Sequence, residues 1–168
     1  MQRNNLILLI QKSKGRDPDA FTELIQTYMK DMYRIAISIL LNDEDAADAI
    51  QETILACWEK IETLKHDAFF KTWLIRILIN KCYDIKKAQE KIIPMEEFEE
   101  PSTEDSYNLE LKEALYTLDV KYRIILMLYY GEGYRIHEIA KLLNIPKSTV
   151  QTRLDRGRKK LRSYYMAD

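Results

Sequence analysis

The chain has 168 residues, with 26 Lys and Arg against 27 Asp and Glu, giving a formal net charge of −1. Bulk charge therefore announces no polyanionic partner, and any such partner must be sought in how the charge is distributed. Only four Gly and four Pro occur, long helical periodicities dominate, and the expectation is an all-α protein of one domain or two small ones.

In chain order, a short helix is expected over about Asn5 to Lys12, ending at Gly15. Asp17 then caps a long helix with Pro18 at its first position, where a missing N–H costs nothing. Phe21, Leu24, Ile25, Tyr28, Met32, Ile35, Ala36 and Ile39 make a continuous apolar stripe along it. The next helix runs from near Asp43 to about Ile61, with Ala47, Ile50, Ile54, Cys57 and Ile61 expected in the core. A loop follows, and Phe69 to about Ala88 is expected to be helical, turning Leu74, Leu78, Cys82 and Ile85 inward. These helices form a first domain over residues 1–88.

Periodicity stops at residues 89–106. Pro94, Pro101, Ser102, Thr103 and a run of Glu and Asp mark a flexible, self-repelling acidic linker. A second domain spans 107–168. It has a helix to about Thr117, another from Asp119 as N-cap to Tyr130, a turn at Gly131–Gly133, and a closing helix pair from Tyr134 to Arg162. Cys57 and Cys82 share no metal-ligand spacing and are expected to be reduced core residues. No metal site, cofactor motif, Gly-rich phosphate loop or nucleophile–base pair occurs, so neither a cofactor nor enzymatic activity is expected. The N-terminal apolar run is too short for a signal peptide and no stretch approaches a membrane span, so the expected location is cytoplasmic.

The closing pair has the parts of a helix-turn-helix. Ala140 permits close helix approach, Asn144 tolerates the left-handed turn, and Pro146 suits the first turn of the second helix. Ile136, Ile139, Leu143, Val150 and Leu154 would fix the crossing. Opposite them lie Lys147, Ser148, Thr149, Gln151, Thr152, Arg153, Arg156 and Arg158, hydroxyl, amide and guanidinium groups suited to a DNA major groove. A basic surface helix of an ordinary domain is the competing reading.

Two faces of the first domain also carry a signal. Asp48, Gln51, Glu52, Leu55 and Glu59 fall on one helical face away from the core, with Trp58 at its margin. Such a stripe is often merely solvated, but Leu55 inside it suits a protein-docking surface. Trp73, Arg76, Asn80, Asp84 and Lys87 share a face of the following helix, and Lys65, His66, Asp67 and Phe69 precede it. Rings interleaved with cations and an amide suit unstacked bases and phosphates of single-stranded nucleic acid. Equally, Trp73 and Phe69 could simply close the domain core.

Taken together, DEDAADAIQETILACW (Asp43–Trp58), FKTWLIRILINKCYDIKK (Phe70–Lys87) and EIAKLLNIPKSTVQTRLDRGRKKL (Glu138–Leu161) resemble three signatures of bacterial sigma factors. These are, in order, the core-polymerase-binding, promoter-melting and −10-reading, and −35-reading segments. The two-domain length is similar to the extracytoplasmic-function (ECF) group of the sigma-70 family. The chain departs from the family pattern at Ala47, where an acidic residue is usual, at Asp119, where Pro is usual, and at Gly157 in place of a more common Ala. In a helix interior that glycine should cost about 1 kcal/mol.

The resemblance implies promoter-directed transcription initiation as a dissociable subunit of RNA polymerase. Asp48, Gln51, Glu52 and Leu55 would bind core polymerase. Lys65, His66, Phe69, Arg76, Asn80 and Lys87 would hold the melted −10 strand. Lys147, Ser148, Thr149, Gln151, Thr152, Arg153, Arg156 and Arg158 would contact the −35 duplex, and the acidic linker would run near the RNA path. A membrane-anchored anti-sigma factor is a further implied partner, with no membrane insertion by the chain itself. The alternative is a one-component helix-turn-helix regulator that binds duplex DNA, as a symmetric dimer, without polymerase.

Overall fold

Asp17 starts the longest helix as its sequence dictates. Its carboxylate accepts from the backbone N–H groups of Asp19 and Ala20, and Pro18 occupies the first helical position. This computed structural model describes residues 2–90 and 109–166, and all regular structure among them is helical. The helices are α1 (Arg3–Lys14), α2 (Pro18–Leu40), α3 (Asp43–Lys60), α4 (Phe70–Glu90), α5 (Leu109–Tyr116), α6 (Val120–Leu126), α7 (Ile136–Leu143) and α8 (Lys147–Met166). The expected acidic linker lies almost wholly outside the described residues. Gln89 and Glu90, assigned to it from sequence, form the end of α4, where Gln89 Nε2 donates to Asp45 Oδ2 at 2.6 Å.

Helices α1 to α4 enclose the first core. The whole stripe expected on α2 is buried, facing Leu74, Leu78 and Cys82 of α4 and Cys57 of α3. Ala47 departs from expectation and is exposed. The inward residues of α3 are Ala46, Ala49, Ile50, Thr53, Ala56 and Cys57, and Ala47 is one residue, or about 100°, away from that line. Its spacing to Gln51 and Leu55 puts it on the acidic face instead. Ile54 and Ile85 are only half-buried, at the core's edge.

Helices α5 to α8 build a second core on Ile124, Ile125, Leu128, Ile139, Leu142, Val150 and Leu154. Two details differ from the sequence reading. After Leu126 the chain widens into a π-helical turn over Met127–Gly131 rather than continuing as α-helix. Pro146 precedes α8 rather than opening it, and its carbonyl accepts from the N–H groups of Thr149 and Val150. Asn144 ends α7 in the left-handed conformation (φ 55°) as expected. The two cores are in contact: α6 and the π turn lie on α2, and α7 lies on α4.

Candidate polymerase and nucleic-acid interfaces

Helix α3 is anchored by Asn42, whose side chain accepts from the Asp45 N–H, and by acidic residues in its first turn, favourably placed at the positive helix end. With Ala46, Ala49, Ile50 and Thr53 turned inward, Asp48, Gln51, Glu52, Leu55 and Glu59 are all exposed. Leu55 is 60% exposed, a large apolar group set among carboxylates. Trp58 does not join that surface. Its ring packs on Phe21 at 4.9 Å, and the Arg16 guanidinium covers it at 5.0 Å.

The segment before α4 forms a short 3-10 turn, Asp67–Phe69. Lys14 fixes it from α1, donating to the Leu64 carbonyl at 2.7 Å and pairing with Asp67 at 2.5 Å. The anchored turn leaves Lys65, His66 and Phe69 projecting outward, with Phe69 61% exposed and meeting the His66 ring edge-on at 5.9 Å. Phe69 is therefore an open ring, whereas Trp73 is half-buried against Phe70 at 6.0 Å and belongs to the core margin. Arg76, Asn80 and Lys87 are exposed at i, i+4 and i+11 along one face of α4.

In the second domain α7 and α8 cross as a helix-turn-helix. The Glu138 carboxylate accepts from the Arg135 N–H and ties down the start of α7. Val150 and Leu154 bury one side of α8, while Lys147, Ser148, Gln151, Thr152 and Arg156 are exposed on the other. Ser148, Thr149, Thr152, Arg153 and Arg156 converge with Lys121 and Tyr122 of α6 on an open cleft of about 310 Å³. Its hydroxyls and cations match the groups that contact phosphates and base edges. Arg158 stands apart from this set. It donates to the Tyr130 hydroxyl at 2.5 Å, pairs with Asp155 at 3.4 Å and lies 5.5 Å from the ring centroids of both Tyr129 and Tyr130.

The exposed faces of α4 and α8 are not independent here. Asn80 and Tyr83 of α4, Leu142 and Leu143 of α7, and Arg153 of α8 line one crevice of about 140 Å³. Beside it, Arg76 Nη2 donates to the Lys141 carbonyl at 3.3 Å. Two buried charges sit deeper in the same junction, and neither was anticipated from sequence. The Arg123 guanidinium, 6% exposed, donates to the carbonyls of Ser38 (2.7 Å), Ile39 (3.3 Å) and Leu118. Burial lowers its pKa, but Arg remains cationic there, and the nearby Tyr83, Asp119 and Tyr116 favour its charge. Glu132, with its side chain 2% exposed, pairs with Arg34 of α2 at 3.2 Å and Lys71 of α4 at 3.7 Å. Burial and the neighbouring Asp31 raise its carboxyl pKa, while Arg34 works against them. A lone cation inside the apolar run YRIILML was the one legible sign of Arg123. Glu132, between two glycines in a turn, gave none.

Comparisons with known proteins identify the family. Residues 24–92 match the family profile described as Sigma-70 region 2, and residues 108–161 match Sigma-70, region 4. RNA polymerase sigma factor SigV of Bacillus subtilis is 34% identical over 156 residues, which is 90% of this chain and 94% of that protein. ECF RNA polymerase sigma factor SigW of the same organism is 30% identical, over 91% of this chain and 92% of that protein. Among solved structures the fold is similar to that of CnrH in complex with the cytosolic domain of CnrY. The TM-score is 0.74 at 24% identity, covering 98% of this chain and 99% of that one. It is similar also to the sigma factor RpoE in complex with the anti-sigma factor NepR from Bartonella quintana. Here the TM-score is 0.75 at 22% identity, covering 88% of this chain and 98% of that one. The chain belongs to the ECF group of the sigma-70 family of RNA polymerase sigma factors.

Proposed function

We propose that this sigma factor divides promoter recognition between its two domains, residues 1–88 and 107–168, and holds core polymerase through α3. The observation that carries this reading is the set of three outward faces, each opposite a buried stripe. On α3, Leu55 supplies apolar contact within the ring of Asp48, Gln51 and Glu52, and desolvating such a centre gives more affinity than exposed charge alone. On the α4 side, Phe69 offers a ring for a flipped base, His66 supports it, and Lys65, Arg76, Asn80 and Lys87 meet phosphates and base edges of the melted −10 strand. On α8, Ser148, Thr149, Gln151, Thr152 and Arg153 address the −35 bases, while Lys147, Arg156 and Arg158 address its phosphates.

Nothing in this division asks the chain for chemistry. It acts by binding, without a cofactor, and nucleotide addition belongs to the polymerase. It works in the cytoplasm, where its polymerase is. No helix among the described residues is long and apolar enough to cross a membrane. An anti-sigma factor, membrane-anchored as family membership implies, is the restraining partner in this reading.

Run-off transcription tests the proposal. Core polymerase supplied with the purified chain should make a discrete transcript from the promoter upstream of the chain's own gene, and core alone should not. Tight, dimeric binding of the free chain to duplex DNA, with no transcript, would support the one-component regulator instead.

A further inference from the structure

Resting on the reading of α8 as a base-reading helix, we propose that Asp155 and Arg158 are positioning residues for Gln151. They hold its carboxamide in one orientation, and the base that Gln151 then reads in the major groove is adenine.

Asp155 is the only acidic residue between Lys147 and Arg162. On a helix that meets phosphates, an exposed carboxylate is repelled by the ligand, so its presence calls for a compensating use. The hydrogen bonds supply one. Asp155 Oδ1 accepts from Gln151 Nε2 at 3.3 Å, one turn earlier on the same flank of α8, and from Arg158 Nη1 at 3.4 Å. Arg158 is held in turn from the end of α6. Its Nε donates to the Tyr130 hydroxyl at 2.5 Å, and its guanidinium lies 5.5 Å from the ring centroids of Tyr129 and Tyr130. Those rings meet edge-on at 4.9 Å in the π-helical turn, a kind of element frequent at functional sites. A chain of contacts, Tyr130 to Arg158 to Asp155 to Gln151, thus runs from that turn to the exposed face of α8, wholly within the second domain.

The last link fixes what Gln151 can read. A carboxylate only accepts, whereas a carboxamide has an accepting oxygen and a donating NH2 group. Asp155 therefore draws the NH2 end toward itself, and a flip of the amide would set Oε1 against the Asp155 charge. Gln151 is left presenting Oε1 as acceptor beside its remaining N–H donor. Adenine alone offers the matching pair on one base edge, the N6 donor and the N7 acceptor. In the free chain Gln151, Asp155 and Arg158 all reach solvent, and such an i, i+4 bond is weak. It strengthens when DNA covers the helix and expels water. Arg158 has five N–H donors, so the two bonds it makes here leave others for phosphate.

Selection from a duplex library with a randomised segment tests this, run with the holoenzyme and with the full chain alone. Competition by single-base variants of the selected site then measures preference at each position. The wild type should favour adenine at one position by about tenfold, and Gln151→Ala should remove the preference there and nowhere else. Asp155→Asn has nearly the same shape but can donate as well as accept. It should lower the same preference about two- to fivefold without weakening binding overall, since it removes a negative charge. Asp155→Glu, again accept-only, should keep most of the preference. Arg158→Lys keeps the charge and lacks the planar fork that spans Tyr130 and Asp155. It should lower the preference and leave the salt slope unchanged. Combined with Gln151→Ala, neither Asp155→Asn nor Arg158→Lys should change that position further.

The proposal is overturned if Gln151→Ala alters no adenine preference. It is overturned equally if Asp155→Asn or Arg158→Lys leaves that preference intact or lowers every position alike. Sequence selection by the chain alone, with no transcript from the holoenzyme, would count against the sigma-factor reading instead. The same comparison on the free chain's selected site would then decide the roles of Asp155 and Arg158.

Discussion

Gly157 of α8 lies so close beneath Leu126 of α6 that a Cβ added there would stand 3.2 Å from Leu126 Cδ1 and 3.3 Å from its Cγ. Both residues are buried, and α6 packs closely on α8. By helix propensity alone, Gly157→Ala should stabilise by about 1 kcal/mol. The contact cancels that gain, since Leu126 must move within a packed core to admit the methyl group. Gly157→Ala is therefore expected to leave the midpoint of urea unfolding unchanged or lower it. An increase matching the full propensity gain would show that Leu126 yields freely.

Which features could be read in advance depends on how far apart in sequence their causes lie. The Asp17–Pro18 start of α2 and the left-handed Asn144 are set within a few residues, and both form as expected. The apolar stripe of α2 has a long, unambiguous period. On the alanine-rich start of α3 the period is weak, and Ala46 and Ala49, not Ala47, face inward. The exposed faces of α3, α4 and α8 followed from the stripes opposite them. The Arg123–Ser38 bond joins residues 85 positions apart, and no local pattern encodes it. Gly157 was legible only as a propensity cost, because its value depends on where Leu126 sits in space.

The thiols give a second prediction. Burial pushes Cys57 and Cys82 up to about 12, from an ordinary value of 9.0. At pH 8 both should remain neutral and resist aromatic disulfide reagents in the native chain, reacting only as it unfolds. The sign of the pH dependence follows from the same shift. Unfolded thiols lose their protons from about pH 9, while folded ones keep theirs, so stability is fully present below pH 9 and falls as pH rises toward 12. The loss could reach a few kcal/mol per thiol, at 1.4 kcal/mol per unit. Urea unfolding from pH 8 to 11 should show a shallower decline in Cys57→Ala/Cys82→Ala than in the wild type. Equal slopes would mean the thiols titrate alike in both states.

Core docking should depend on the α3 face. Asp48→Lys combined with Glu52→Lys reverses two exposed carboxylates that touch nothing in the core. Co-purification with core polymerase should be abolished, while helicity and thermal unfolding stay within about 0.5 kcal/mol of the wild type. Leu55→Ala should weaken docking by roughly 1–2 kcal/mol without altering the charge. Full retention of polymerase binding by the double variant would reduce this face to a solvated surface.

Strand capture should rest on Phe69 and Asn80. Phe69 is the exposed ring of the anchored 3-10 turn, and Asn80 lies on the exposed face of α4. Phe69→Ala and Asn80→Ala should lower open-complex formation on a duplex promoter. Much activity should return on a template with a pre-melted −10 bubble, because capture offsets an unstacking cost of roughly a few kcal/mol per flipped base. Permanganate footprinting checks this, and reactivity equal to wild type in both variants would place the flipped bases elsewhere.

The cations of α8 should divide into two kinds. Arg153 lies toward the start of the helix, in the cleft with Ser148, Thr149 and Thr152, where a recognition helix reaches base edges. Lys159 is exposed more than a turn further on, and Lys160 lies over the Tyr122 ring at 5.5 Å, outside the set lining that cleft. In the holoenzyme, Arg153→Ala should cost roughly 1–3 kcal/mol and relax preference at one −35 base pair. Lys159→Ala should weaken all promoters alike and lower the salt slope by about one unit. Promoter binding across a salt series, on a panel of single-base −35 variants, separates the two outcomes. If Arg153→Ala weakens every variant equally and reduces the salt slope, Arg153 holds a phosphate, and base reading falls to the Ser148, Thr149, Gln151 and Thr152 side chains.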